Sequence, residues 1–287
     1  MSAGSLFLRA LGSLLGWLAG SVLRIRRAHV EASMRAAGID DASLHARRMY
    51  ASLGRSAVEL LAIAAWGGRG PHVPIEEPSR TVWRDALAQG RGVVVAASHT
   101  GNWDGAACAV ARDVELLVVT KHLSVRWLDR LWQSTRARQG VHLADAAGAM
   151  SCARHTLRRG GAVAMMIDQV PGSPRHAVLT EFLGQPAWTD RAPAALAAST
   201  GAPLVVAASR RDGDGQVLCV LDVIHPPRRP TRAWIDEATR RATAALDRFV
   251  RAHPSQWLWM HRRWKPMLAA SCTLIPSSSP AAASRAA

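Results

Sequence analysis

Residues 93–105 read VVVAASHTGNWDG, and this stretch decides how the rest of the chain is interpreted. Its apolar run, 93–97, is typical of a buried strand, and polar residues follow at once. In α/β proteins, reactive side chains lie just beyond the carboxyl ends of the strands. His99, two residues past the apolar run, is therefore the first candidate for chemistry.

The spacing of His99 and Asp104 predicts a hydrogen-bonded pair. If Thr100 or Asn102 caps the next helix, Asp104 lies in its first turn, and Gly101 lets the backbone turn sharply enough for Asp104 to reach the His99 ring. A carboxylate on one imidazole nitrogen fixes the tautomer and leaves the other nitrogen as a general base. The same spacing fits a histidine that only caps the helix start, so the residues alone leave both roles open.

Strand-like and helix-like segments alternate around this stretch. Apolar runs typical of strands recur at 114–119, 162–167, 204–208 and 217–223. Helix-like segments precede, separate or follow the runs at 40–66, 103–112, 125–138, 150–159, 191–200 and 231–252. This order predicts an α/β fold with a mixed, mostly parallel sheet flanked by helices.

The N-terminal segment 5–23 is apolar except for Arg9, and the basic residues Arg24, Arg26 and Arg27 follow it. Its uninterrupted apolar part is short for a bilayer crossing, which takes about 20 residues. A signal peptide would carry its charge before the apolar run. We therefore expect a membrane-associated helix, embedded or weakly spanning, with the arginines at the cytoplasmic headgroups. An ordinary buried helix is the alternative.

Three glycines of this segment, Gly12, Gly16 and Gly20, are spaced four apart. Residues at this spacing line one face of a helix. Because glycine has no side chain, this face allows a second helix to pack closely against the first.

The composition is that of a globular protein with an excess of positive charge. Hydrophobic residues make up 49% of the chain and charged residues 20%, which excludes a wholly disordered or fibrous protein. The formal net charge is +15, and all but two of the 36 basic residues are arginine. This excess predicts an anionic partner: phosphate groups, an acidic membrane or nucleic acid. The four cysteines lie far apart without metal-binding spacing, which fits a reducing compartment.

Several well-known catalytic and nucleotide-binding motifs are missing from the sequence. It contains no G-x-S-x-G, no G-x4-G-K-[ST] or G-x-G-x-x-G loop and no H-E-x-x-H. A histidine–aspartate pair without a protein nucleophile suits the activation of a substrate hydroxyl. That hydroxyl then attacks an activated ester directly.

The HTGNWD segment resembles the H-x4-D/E motif of the glycerolipid acyltransferases, and more specifically that of the lipid A biosynthesis acyltransferases of the lauroyl/myristoyl type. Four further segments resemble the family in order: STRARQG at 134–140, MMIDQ at 165–169, the block 181–205 and PSQWLWMHRRWK at 254–265. Lipid A enzymes often carry Glu where Asp104 stands. This departure leaves the acceptor open among a lipid A precursor, another glycolipid, an aminolipid and a pigment-type alcohol.

The resemblance implies that His99 is the catalytic base and that Asp104 orients it. It implies a substrate-binding role for Arg136, which would bind a phosphate. Asp168 ends a buried strand, where an ionised group needs a partner, so we expect it to take part in substrate binding by orienting the acceptor or a basic residue. A structural ion pair is the alternative for Asp168. The implied reaction moves a fatty acyl group from an acyl-carrier-protein or acyl-CoA thioester to a hydroxyl of a membrane glycolipid similar to a lipid A precursor. It requires no metal and no cofactor.

The implied partners are this donor, the glycolipid acceptor and an anionic membrane surface, with no nucleic acid. The implied location is the cytoplasmic face of the bacterial inner membrane. We expect a helix and basic flank at 1–27, an acyltransferase domain at 28–270 and a loose tail at 271–287. Two alternatives stay open: a non-catalytic lipid-binding relative and, from the charge, a basic nucleic-acid-binding protein.

Overall fold

The computed structural model describes residues 3–66, 73–146, 148–213 and 215–265, so the expected tail 271–287 lies outside the described residues. The described helices are α1 (Ala3–Trp17), α2 (Arg27–Ala36), α3 (Ala42–Trp66), α4 (Ser79–Ala88), α5 (Trp103–Val110), α6 (Arg126–Arg138), α7 (Ala149–Arg158), α8 (Ala192–Thr200) and α9 (Arg232–Ala252). The described strands are β1 (Val93–Ala97), β2 (Leu116–Thr120), β3 (Val141–Asp145), β4 (Ala162–Met166), β5 (Ala177–Phe182), β6 (Gln185–Asp190), β7 (Leu204–Asp212) and β8 (Gly215–Ile224).

Within the described ranges, six strands form one sheet in the order β3-β2-β4-β1-β7-β8. The strands from β3 to β7 pair in parallel, and β8 runs antiparallel at one edge. The expected mixed, mostly parallel sheet flanked by helices is therefore confirmed. Two features were not predicted from the sequence. Strand β3 is mostly uncovered at the other edge and so lacks an apolar run, and β5 and β6 form a separate hairpin.

The central strand β1 buries both of its faces, because successive side chains of a strand point to opposite sides of the sheet. Val94 and Ala96 join a core cluster with residues of α2, α8 and α9. Val93 and Val95 join a second cluster on the other side, which includes Trp83 of α4. This double burial explains why β1 is a continuous apolar run without alternation.

Helix α1 packs against α3 with the two backbones in contact. A Cβ atom at Gly16 would lie 2.1 Å from the carbonyl oxygen of Tyr50, and one at Gly54 would lie 2.1 Å from the carbonyl oxygen of Gly12. A Cβ atom at Gly20 would meet the Tyr50 ring at 2.4 Å. The expectation that the glycine face of the N-terminal segment packs closely on another helix is confirmed.

The N-terminal segment also exposes a large number of apolar side chains. The exposed members are Leu6, Phe7, Leu14, Leu15, Trp17, Leu18, Val22, Leu23 and Ile25. None of the described helices is by itself long and apolar enough to span a bilayer. The helical segments Leu6–Val22 and Arg27–Ala36 are bent by 86° relative to each other, and only together are they long and apolar enough to cross a bilayer.

The bend lies at the basic cluster. Arg24 and Arg26 adopt left-handed backbone conformations with φ of 50° and 54°, and both side chains are exposed. Arg27 differs from the expectation that it lies among headgroups, because its guanidinium is turned inward. It contacts the Glu31 carboxylate at 2.5 Å and donates to the Gly20 carbonyl oxygen at 3.1 Å.

The close contact between α1 and α3 can be tested with Gly54→Leu. We expect this change to lower the free energy of unfolding by about 1–3 kcal/mol, because the added side chain overlaps the α1 backbone. Chemical denaturation measures the effect. Gly172→Leu is the control, since a Cβ atom there meets no atom within 4 Å. Equal stability of the Gly54→Leu variant and the wild type would show that the contact is not required.

Candidate active site

The loop after β1 is fixed by backbone contacts with the C-terminal segment. The amide of Leu258 donates to the carbonyl oxygen of His99 at 3.0 Å, and the amide of Gly101 donates to the carbonyl oxygen of Gln256 at 2.8 Å. Gly101 has a φ of +56°, and a Cβ atom there would lie 2.7 Å from the carbonyl oxygen of Ser209. Only glycine fits this turn, as the sequence suggested.

The His99 ring is oriented by Asp168. The Nδ1 atom of His99 lies 2.9 Å from Oδ1 of Asp168, and the backbone amide of His99 donates to Oδ2 at 2.7 Å. The indole Nε1 of Trp257 donates to the same Oδ2 atom at 2.9 Å. Both oxygens of the Asp168 carboxylate therefore accept hydrogen bonds. Two of these bonds come from His99, one from its ring and one from its backbone amide.

Strand register brings this pair together. Strands β1 and β4 are parallel neighbours, with Ala97 opposite Met166. His99 and Asp168 each lie two residues beyond that pair, so they leave the sheet side by side. The MMIDQ motif contains Asp168, but only the pairing of β1 with β4 places it beside His99.

The environment of Asp168 keeps it ionised. Complete burial opposes the charge, but the adjacent His99 and the hydrogen bonds from its ring and backbone hold the pKa of the carboxyl below its ordinary value. An ionised carboxylate at Nδ1 requires a hydrogen on that nitrogen, which leaves the lone pair of neutral His99 on Nε2. Asp168 has no exposed surface, and both of its oxygens accept hydrogen bonds from protein groups. This geometry favours the orientation of a basic residue over the orientation of the acceptor, and the role of Asp168 in substrate binding stays a prediction.

Asp104 pairs with Arg136 instead of His99, which differs from the expected histidine–aspartate pair. Asn102 caps α5, since its side chain accepts from the Gly105 amide, and Asp104 lies in the first turn as expected. From there its Oδ1 atom accepts from Nε of Arg136 at 2.7 Å. The paired guanidinium, in the last turn of α6, compensates a carboxylate that is nearly buried.

The same loop is tied to α3. The side-chain amide of Asn102 donates to Oε2 of Glu59 at 2.6 Å. Glu59 is itself held by Arg211 of β7, at 2.9 Å, and Arg211 also donates to Ser52 and Ser56. Nothing in the sequence around Glu59 indicates this role, because the contact joins residues 43 positions apart.

Three further side chains surround the His99 ring. Trp103 packs edge-on at a centroid distance of 5.1 Å, and His261 packs edge-on at 4.8 Å. Between the two imidazoles lies the Gln169 amide, whose Nε2 atom is 3.4 Å from Nε2 of His99 and 3.3 Å from Nε2 of His261. Gln169 and His261 lie within two of the motifs that resemble the family, but nothing in the sequence predicted their place beside His99.

An apolar pocket adjoins the site on the side of α4 and α5. Its lining comes from five strands (β1, β2, β4, β7 and β8), from α4 and α5, and from Arg136 of α6. The residues nearest the loop are Ser98, Trp103, Asp104 and Arg136. Val95, Ala164 and Val118 line it further along the sheet, and Leu116 further still. Leu116 and Val93 both lie opposite Ala162 of β4, so they are at the same level of the sheet. Val93 is six residues before His99, and at about 3.3 Å per residue this places Leu116 roughly 20 Å from the level of His99 along the strands. The pocket therefore follows the strands away from the candidate base.

The family model and the curated relatives that this chain matches are all described as acyltransferases. Residues 4–266 match the family described as "Bacterial lipid A biosynthesis acyltransferase". Two curated relatives, both phosphatidylinositol mannoside acyltransferases from strains of Mycobacterium tuberculosis, are 30% and 29% identical over 192 and 190 residues. These matches cover 62% of the chain and 56% of each relative, so the chain spans about half the length of the curated relatives it matches.

Among solved structures, the chain is similar to the 1-acyl-sn-glycerophosphate acyltransferase PlsC from Thermotoga maritima. The two are 12% identical with a TM-score of 0.39, over 86% of this chain and 98% of that one. The family match extends over nearly the whole described chain and includes both side-chain pairs of the site, His99 with Asp168 and Asp104 with Arg136. The chain is thus a member of the bacterial lipid A biosynthesis acyltransferase family.

Proposed function

We propose that this protein transfers a fatty acyl group from a thioester to a hydroxyl of a membrane glycolipid, with His99 as the general base. The observation that carries the proposal is the pair of contacts from Asp168 to the ring and backbone of His99, which leaves the lone pair of the ring on Nε2. A fixed imidazole with its basic nitrogen beyond the carboxyl end of a central strand suits the removal of a proton from an alcohol.

The proposed step needs no covalent enzyme intermediate. The acceptor oxygen attacks the thioester carbonyl carbon while its proton moves to Nε2 of His99. The carbon–sulfur bond then breaks, the proton passes from His99 to the leaving sulfur, and the products are an ester and a free thiol. Asp168 stabilises the transient imidazolium, because its charge lies 2.9 Å from Nδ1.

The acceptor is proposed from chemistry and from the names of the relatives. Phosphatidylinositol mannoside, which the mycobacterial relatives are named for, is a glycolipid with sugar hydroxyls. A lipid A precursor offers the same kind of hydroxyl, and the family description names that pathway. We propose a glycolipid of this class as acceptor, and acyl-carrier-protein or coenzyme A thioesters as donors, since both are acidic and the chain has a net charge of +15.

Arg136 keeps a part in substrate binding in this proposal. Its NH2 and Nε atoms contact Asp104, at 2.5 and 2.7 Å, but NH1 makes only long contacts, to Thr120 at 3.5 Å and Gln133 at 3.4 Å. The NH1 edge is therefore the side of the guanidinium that suits a phosphate oxygen of donor or acceptor.

The pocket is the proposed site of the acyl chain. Its wall is apolar, it begins beside the loop that carries His99, and it follows β1 and β4 along the sheet. Its present volume of about 80 Å³ is below the ~300–1,000 Å³ typical of ligand pockets, so a long chain requires side chains of the wall to move.

We also propose that the N-terminal segment binds the cytoplasmic face of the bacterial inner membrane. Its exposed apolar side chains fit the acyl region of a bilayer, and the exposed Arg24 and Arg26 fit anionic headgroups. With the enzyme placed in this way, a membrane glycolipid could reach the candidate site while it stays in the lipid phase.

The assignment of the base is tested with Asp168→Asn and His99→Ala. We expect His99→Ala to abolish transfer and Asp168→Asn to lower kcat by about 10²- to 10⁴-fold, because the amide no longer fixes the tautomer or stabilises the imidazolium. The assay follows thiol release from palmitoyl-CoA with phosphatidylinositol mannoside or a lipid A precursor in mixed micelles. Asp85→Asn, at an exposed site, is the control. Near wild-type turnover of the Asp168→Asn variant would contradict the assignment.

The acyl pocket is tested with Ala164→Phe. Ala164 is level with Val95, four residues before His99, so a phenyl ring there closes the far part of the pocket. We expect kcat/KM for palmitoyl-CoA to fall by about 10-fold or more relative to hexanoyl-CoA, because the longer chain loses apolar contacts. The exposed Ala88→Phe serves as the control. An unchanged ratio between the two thioesters would place the acyl chain elsewhere.

Membrane binding is tested with the double variant Phe7→Ser and Leu14→Ser. The two side chains are 66% and 57% exposed, so their replacement should leave folding intact. We expect partitioning to vesicles of phosphatidylcholine and phosphatidylglycerol to weaken by about 10-fold or more. Leu179→Ser, 48% exposed on β5, provides the comparison. Equal partitioning of all three proteins would rule out the N-terminal segment as the anchor.

A further inference from the structure

The Gln169 amide lies between two imidazole nitrogens. Its Nε2 atom is 3.4 Å from Nε2 of His99 and 3.3 Å from Nε2 of His261. A carboxamide nitrogen carries two hydrogens, so one group can donate to both rings. Gln169 directly follows Asp168, so the residue that orients His99 and the residue that contacts its basic nitrogen leave β4 together.

The protonation states of the two rings fit this bridge. The Asp168 carboxylate accepts a hydrogen bond from Nδ1–H of His99, so Nε2 of the neutral ring is an acceptor. Burial, and then the neighbouring His99, lower the pKa of His261 to about 4, so at neutral pH this ring is uncharged and its Nε2 atom also accepts in the Nδ1–H tautomer. In the opposite orientation of the Gln169 amide, its oxygen would face the lone pairs on Nε2 of His99 and of His261, and their repulsion disfavours that orientation.

We propose that Gln169, held by His261, is a positioning residue that occupies the lone pair of His99 until the acceptor hydroxyl replaces it. The inference rests on the proposed function of His99 as general base. The amide and the hydroxyl are equivalent at this point, since each donates a hydrogen to Nε2.

The weakness of the bridge is part of its role. Donor–acceptor distances of 3.3–3.4 Å exceed the ~2.7–3.2 Å of ordinary protein hydrogen bonds, so the contacts are weak and the amide is easily displaced. A glycolipid brings binding energy from the rest of its structure to that exchange, whereas a water molecule brings only its own hydrogen bond. The bridge therefore discriminates against water, which would otherwise attack the thioester and release a fatty acid and a thiol.

The position of His261 is fixed from the N-terminal side. Nε2 of His29, in α2, lies 3.2 Å from the carbonyl oxygen of His261. Arg26, at the bend before α2, donates to the carbonyl oxygen of Met260 at 2.9 Å. These two contacts hold the backbone on which the His261 ring is mounted, and the ring in turn holds the amide of Gln169.

The test measures hydrolysis of palmitoyl-CoA in the absence of any glycolipid. We expect Gln169→Ala and Gln169→Met to raise this hydrolysis by about 3- to 10-fold, the factor that one neutral hydrogen bond contributes. His261→Phe keeps an aromatic ring beside His99 but loses the acceptor nitrogen, so we expect the same direction with a smaller factor. The exposed Gln89→Ala is the control and should hydrolyse the thioester at the wild-type rate.

A second measurement separates positioning from a merely structural role. With phosphatidylinositol mannoside or a lipid A precursor as acceptor, the KM for the acceptor should fall in both Gln169 variants while His99-dependent transfer persists. Damage to the fold would lower hydrolysis and kcat together instead. Hydrolysis at or below the wild-type level in both Gln169 variants, or a raised acceptor KM, overturns the inference.

The failure of the proposed function has a different signature. If wild-type protein and the His99→Ala variant consume thioester equally with either glycolipid present, His99 is not the base, and the inference falls with it. If thioester consumption depends on His99, but the Gln169 variants show no increase in hydrolysis or show a raised acceptor KM, only the inference about Gln169 fails.

Discussion

The site depends on one buried contact, between the Asp168 carboxylate and the ring and backbone of His99. An ionised group without exposed surface is stable only with close partners, and here the protein supplies three donors, from the ring, the amide of the same residue and the Trp257 indole. The loop after β1, the end of β4 and the C-terminal segment must all be in place for this to hold. The geometry of the candidate site therefore depends on segments that are distant in the sequence.

Much of the fold could be predicted from the sequence, because its signals are local. Buried central strands such as β1 are continuous apolar runs, and the Asn102 cap and the glycine face of α1 depend on near neighbours in the chain. The hairpin of β5 and β6 and the edge strand β3 were missed, since partly covered strands mix polar and apolar residues. Four residues of the candidate site could be singled out one by one from the sequence: His99, Asp104, Arg136 and Asp168.

The pairing of these four residues could not be predicted in the same way. The short spacing of His99 and Asp104 favoured a contact within one loop, but the parallel pairing of β1 with β4 brings Asp168 to the ring from 69 positions away. Arg136 arrives from 32 positions away and takes the carboxylate that the spacing assigned to His99. Strand order decides both contacts, and strand order is a property of the whole sheet rather than of any motif.

Helix α3 meets two very different neighbours within a few turns: its Gly54 touches α1, and its Glu59 holds Asn102 in the loop beside His99. An α-helix advances by about 100° per residue, so one residue inserted between these positions would rotate Glu59 away from Asn102 while Gly54 kept its place. The number of residues in that short stretch is consequently under as tight a constraint as their identity. Insertions and deletions there should be poorly tolerated even though none of these residues lines the apolar pocket.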